Sequence, residues 1–118
     1  MIGDLSGLFR HETNSISFHA GDVIFREGDA ADVMYVVLEG AVNISANGKH
    51  LDTAETGSLV GEMALIDHDV RSATVVAKTD CRLVPVTREE FLFMVQETPN
   101  FAIRVMHVMA DRLRRQHG

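Results

Sequence analysis

The stretch Gly61-Glu62-Met63-Ala64-Leu65-Ile66-Asp67-His68-Asp69-Val70-Arg71-Ser72-Ala73-Thr74-Val75 decides how the chain reads. It places an acid in the first turn of a short helix and an arginine nine residues on, just ahead of a β-branched strand. The N–H groups at a helix start attract an anion, and the helix dipole favours negative charge there. A guanidinium adds two-pronged, charge-assisted hydrogen bonds to phosphate-like oxygens. Glu62 is a poor partner for an anion, so accepting a hydroxyl hydrogen bond is its natural role. The segment therefore suits a small molecule carrying both a phosphate and a vicinal hydroxyl.

Outward from this segment, the flanks read as short strands. Ile16 and Phe18 alternate with polar residues after Ser15, Gly21-Asp22 marks a turn, and Val23-Ile24-Phe25 follows. Met34 to Leu38 is an apolar β-rich run closed by Glu39-Gly40. Ala41 to Ala46 leads into Asn47-Gly48, a type I′ hairpin signal. Further strands are predicted near His50–Asp52, Thr74–Lys78 and Cys81–Val86. Short strands at this spacing, with glycine-bearing turns, indicate a sandwich or barrel.

Helical periodicity brackets the strands. Ile2, Leu5, Leu8 and Phe9 predict a short amphipathic helix reaching about His11. Thr87-Arg88-Glu89-Glu90 is a capping box with Thr87 as N-cap, and the helix it opens carries Phe91, Leu92, Met94 and Val95 up to Thr98-Pro99. Phe101 to Arg115 predicts a second helix whose apolar face is formed by Ala102, Ile103, Met106, Met109, Ala110 and Leu113. Val105 and Val108 lie off that face. They either pack on the preceding helix or offer a dimer or partner surface.

The fold class is accordingly α+β: a short N-terminal helix (1–14), an antiparallel β-barrel or jelly roll with the short helix embedded (15–86), and two C-terminal helices (87–117). No linker or repeat divides the 118 residues, which read as one domain. A net charge of −6 argues against a whole-chain nucleic-acid binder. Arg104, Arg112, Arg114 and Arg115 crowd the C-terminal end, as a solvated helix terminus or as a phosphate or partner contact. No apolar run approaches the roughly 20 residues of a membrane helix. The N-terminus does not read as a signal peptide, and the single cysteine, Cys81, reads as a buried thiol of a reducing compartment. A cytoplasmic protein is expected. The six histidines show no paired metal-ligand spacing and no Ser/His/Asp arrangement stands out, so neither an enzyme nor a metal or other cofactor is expected.

In this order, the residues resemble the cyclic-nucleotide-binding domain family. Phe18 to Asp29 is similar to the family's opening hairpin, Asp32 to Val42 to its next strand pair, and Gly61 to Val75 to its phosphate-binding cassette. The resemblance runs from about Leu8 to the C-terminus. It implies that Glu62 takes the ribose 2′-hydroxyl and Arg71 the cyclic phosphate. Backbone N–H groups around Gly61, Met63 and Ala64 would cradle the phosphate, with Ser72 and Ala73 adding contacts. The Ser72 hydroxyl meets either phosphate or the guanine of a syn nucleotide.

The final helix resembles the family's lid helix, with Arg112 as a ligand-side contact and Gln116 and His117 near the base. Val70 stands where many relatives carry proline, which softens the cassette without abolishing binding. The resemblance implies a stand-alone regulatory domain that prefers cyclic AMP, with cyclic GMP possible, and signals through its C-terminal helices. Its output would pass to a protein effector or through self-association. Direct DNA binding and a membrane span are not expected. The alternative is a scaffold of the same fold that binds no nucleotide.

Overall fold

A computed structural model describes Phe9 and residues 14–67 and 70–117. Eight strands form two four-stranded antiparallel sheets. They are β1 (Ile16–Phe18), β2 (Val23–Phe25), β3 (Val33–Glu39), β4 (Ala41–Ala46), β5 (Lys49–Glu55), β6 (Leu59–Val60), β7 (Thr74–Ala77) and β8 (Cys81–Thr87). The first sheet runs β1-β8-β3-β6 and the second β2-β7-β4-β5. Helix α1 (Ala64–Asp67) interrupts the strands between β6 and β7, and α2 (Arg88–Glu97) and α3 (Asn100–His117) follow them. The expected helix over 1–14 lies outside the described residues, apart from a helical Phe9.

The barrel alternative is corrected: the two sheets are open and form a jelly-roll sandwich. Closure would need a continuous ladder between edge strands, and β1 and β6, the edges of the first sheet, are only three and two residues long. The strand β6 itself was not anticipated. Two residues carry no readable period, and the pairing of Leu59 with Val36 and Val60 with Tyr35 defines it.

The apolar run of β3 is explained by burial on both faces. Met34, Val36 and Leu38 join Val84 and Val86 of β8 beneath Phe101, Val105 and Val108 of α3. On the opposite face, Val37 and Leu83 meet Val42, Ile44, Val75 and Ala77 of the second sheet. The layers under the first half of α3 are therefore helices, first sheet, second sheet, while its C-terminal half reaches β5 of the second sheet. Between β3 and β4 the chain turns at Gly40, where φ is 85° and an added Cβ would stand 2.4 Å from the Asp80 carbonyl oxygen. Only glycine fits that turn. The Asn47-Gly48 hairpin has φ of 54° and 73°, as a type I′ turn requires.

The capping box is complete. Glu90 N–H donates to Thr87 Oγ1 at 3.1 Å, and Thr87 N–H donates to Glu90 Oε1 at 2.8 Å. The face expected to bury on α3 is corrected. Phe101, Val105 and Val108 are buried, at i, i+4 and i+7, whereas Ile103, Met106 and Leu113 are each more than half exposed. The helix carries apolar residues on two sides, and the first sheet takes the side bearing Phe101. That ring packs edge-on against Phe9 and Phe91, with centroids 6.3 and 5.4 Å apart. The Phe101 N–H donates to the Thr98 carbonyl and Thr98 N–H to that of Met94, which tightens the α2–α3 corner and sets the face α3 presents.

Candidate functional site

A cavity of about 330 Å³ opens between the second sheet, the α1 segment and α3. Eight of the residues picked out from the sequence line it: Gly61, Glu62, Met63, Ala64, Arg71, Ser72, Ala73 and Arg112; the side chains of Gln116 and His117 lie outside the described ones. Its walls are Phe25, Ile44, Leu51, Val60 and Val75, closed on the helix side by Met109 and Leu113. The volume lies in the range of small-molecule sites.

Arg71 is the buried cation in the lining of this cavity. It is 6% exposed, and its guanidinium carbon lies 4.0 Å from the Phe25 ring centroid and 6.0 Å from that of Tyr35. Its Nη1 donates to the Gly61 carbonyl at a long 3.4 Å, and its Nε has no hydrogen-bond partner among the described residues. Burial pushes its pKa below the ordinary arginine value, although Tyr35, Asp32, Asp29 and Glu62 pull the other way. The backbone holds it firmly: Arg71 N–H donates to the Asp29 carbonyl at 2.7 Å and Gly28 N–H to the Arg71 carbonyl at 2.9 Å. Ahead of it, Val70 bridges to Ala30, so valine keeps the backbone extended at that point. A buried guanidinium so poorly satisfied is costly by itself and suits an anion.

The segment facing Arg71 is shaped by Gly61. Its φ is 75°, and a Cβ there would stand 2.6 Å from Arg71 Nη1 and 3.3 Å from the Phe25 ring. The positive φ calls for glycine, and a side chain there would push the Arg71 guanidinium aside. Glu62 and Met63 form a turn, and α1 begins only at Ala64, so Glu62 precedes the helix instead of lying in its first turn. Ala64, Leu65 and Ile66 N–H groups donate to the carbonyls of Gly61, Glu62 and Met63 at 3.0–3.1 Å. The Ala64 N–H is therefore spent within the turn, contrary to its expected place in an anion cradle. Ala64 and Leu65 are buried, and Arg88 Nη1 of α2 donates to the Leu65 carbonyl at 2.5 Å. The loop at His68-Asp69 lies outside the described residues.

Arg112 reaches the site from α3. Its Nη1 donates to Glu62 Oε1 at 3.3 Å, and its Nη2 donates to Ser58 Oγ at 3.2 Å and to the Leu59 carbonyl. Its Nε lies 3.3 Å from Asp52 Oδ2, within ion-pair reach but off hydrogen-bond alignment. Asp52 also takes both Nη2 (2.8 Å) and Nε (3.4 Å) of Arg115. Burial raises the Asp52 pKa, but hydrogen bonds from Arg115 and the Thr53 backbone, with the charges of Arg115 and Arg112, leave it net lowered.

Sequence reasoning missed Phe25, Asp52, Ser58 and Arg88. None carries a local signal, since each meets its partner across more than 20 residues of chain. Among the described residues no group of three or more His, Cys, Asp or Glu side chains could hold a metal ion. No helix there is long and apolar enough to cross a membrane.

A jelly-roll sandwich with an anion-suited arginine behind a short helix, closed by a terminal helix, defines a class of ligand-binding regulatory domain. The sequence profile of the cyclic nucleotide-binding domain matches residues 15–98, and the chain belongs to that family. It is 32% identical over 83 residues to a cGMP-dependent protein kinase of Drosophila melanogaster, covering 70% of this chain and 8% of the kinase. It is 33% identical over 99 residues to the cyclic AMP receptor protein of Thermus thermophilus, covering 80% of this chain and 46% of the receptor. Solved structures of the EAL enzyme Bd1971 in cGMP-bound and cAMP-bound forms are 38% identical to it. They superpose with TM-scores of 0.66 and 0.63 over 86% of this chain and 28% of theirs. The chain thus spans less than half the length of each of these relatives.

Proposed function

We propose that this domain binds a cyclic nucleoside monophosphate, cyclic AMP in preference to cyclic GMP, and reports its presence through α3. The observation that carries the reading is Arg71: a buried cation stacked on Phe25, with an unpartnered Nε and one long hydrogen bond. A cyclic phosphate supplies the charge and the acceptors that this guanidinium lacks. Gly61 lets the phosphate approach its backbone, and Glu62 accepts the ribose 2′-hydroxyl. Met63, Ala64, Ser72 and Ala73 border the phosphate and sugar.

The base lies toward Leu51, Met109 and Leu113. Those apolar walls favour adenine, because guanine would bury a carbonyl and a ring N–H beyond the single amine that each base carries, and both need partners. Bd1971, crystallised with either nucleotide, shows that a relative accepts both. Ligand held against Glu62 and Arg112 joins the α1 segment to α3. This contact gives the ligand differential affinity for the docked position of α3, which a conformational signal requires. Output then passes to a protein effector or to a second copy of the chain.

The test is calorimetric titration with cyclic AMP and cyclic GMP, alongside the Arg71→Met variant. Saturable binding of cyclic AMP, weaker binding of cyclic GMP and loss of both in the variant are expected. No heat and no thermal shift at millimolar nucleotide would identify a nucleotide-free scaffold instead.

A further inference from the structure

We infer that Asp52 is a positioning residue that locks α3 over the ligand cavity, and that it sets how long a bound ligand stays. Asp52 lies on β5, the edge strand of the second sheet, next to Leu51 in the cavity wall. Its side chain is 11% exposed and faces two arginines from successive turns of α3. Arg115 approaches it two-pronged at 2.8 and 3.4 Å, and Arg112 Nε stands 3.3 Å away. One carboxylate on the sheet thus fastens two points of the helix that carries Met109 and Leu113 across the cavity mouth.

Its second effect is on Glu62. Arg112 is 12% exposed, and among the described residues its carboxylate neighbours are Asp52 and Glu62. A buried guanidinium robbed of its counter-charge is strongly destabilised. With Asp52 present, Glu62 can turn an oxygen toward a ligand hydroxyl while Arg112 keeps a counter-charge. Without it, Glu62 is the remaining carboxylate within reach and is shared between the guanidinium and the ligand. Asp52 therefore favours the closed helix and frees Glu62 for binding, although it does not line the cavity itself.

This inference rests on the proposed nucleotide binding, and the test separates the two. Native protein, Asp52→Asn and Asp52→Glu are compared in two measurements. The first is backbone hydrogen exchange over residues 106–115 of the ligand-free proteins. The second is dissociation of a fluorescent cyclic AMP analogue followed by stopped flow. Asn keeps the shape and removes the charge, so exchange in that segment should accelerate roughly tenfold while the sheets stay protected. Dissociation should accelerate by about tenfold or more, with association changed by less than about threefold, as for loss of a buried charge contact. Asp52→Glu should recover most of both effects.

Unchanged exchange in Asp52→Asn overturns the lock whether or not nucleotide binds. Faster exchange with unaltered dissociation overturns its control of ligand lifetime. If native protein binds no nucleotide, the proposed function falls and so does that control, while the exchange result still decides the helix contact.

Discussion

Arg71→Met should make the ligand-free domain more stable while destroying its binding. The change removes the guanidinium but keeps an unbranched side chain on Phe25. It forfeits the cation–π contact, worth about 0.5–2 kcal/mol. It also forfeits one hydrogen bond of 3.4 Å to the Gly61 carbonyl, worth at most about 1 kcal/mol. Against these stands the cost of keeping a 6% exposed cation out of water, several kcal/mol even after relaxation. Asp29, Asp32, Glu62 and Tyr35 offset part of that cost, but the net lowering of the Arg71 pKa shows that burial outweighs them. The balance favours the variant by about 1–3 kcal/mol, within the range for apolar replacement of buried charges. For a domain of this size that raises Tm by roughly 4 °C per kcal/mol. Binding moves the other way: two charge-assisted hydrogen bonds to phosphate are worth about 1.5–3 kcal/mol each, so affinity should fall about 10²–10⁴-fold. Scanning calorimetry with and without cyclic AMP measures both quantities. A ligand-free Tm more than about 4 °C below native would refute the reasoning, because it would mean that Arg71 is structurally satisfied.

Three further outcomes follow from the same geometry. Glu62→Gln keeps an acceptor but loses charge toward Arg112 and the ribose hydroxyl, so cyclic AMP should bind about tenfold more weakly by titration. Phe101→Ala should cost about 3–5 kcal/mol in urea unfolding, whereas Ile103→Ala should stay within about 0.5 kcal/mol; equal costs would contradict the burial of α3. The folded-state pKa of Asp52 is held below 3.8, so its contribution is fully present above that value and is lost as pH falls through the lower folded pKa. The Tm difference between native protein and Asp52→Asn should therefore be constant near neutral pH and shrink below about pH 3.8. A difference that did not begin to shrink as the pH fell below 3.8 would mean the carboxylate charge is not what holds α3.

Local chemistry alone determined a good part of this protein. The Asn47-Gly48 turn, the Thr87–Glu90 capping box and the period-two strands depend on neighbours a few residues apart, so they can be read along the chain. The same holds for bringing Glu62 and Arg71 to one site, since both belong to one short segment, and the residues chosen from it line the cavity. Tertiary structure decided the rest. Which side of α3 would bury was undetermined, because Phe101, Val105 and Val108 compete with Ile103, Met106 and Leu113, and the α2–α3 corner settles the choice. Whether the sheet would close depended on the lengths of edge strands as short as β6. The surroundings of Arg71 and Arg112 were likewise invisible. Phe25 and Asp52 reach them across 46 and 60 residues of chain, and only packing brings a ring under one guanidinium and a carboxylate beside the other.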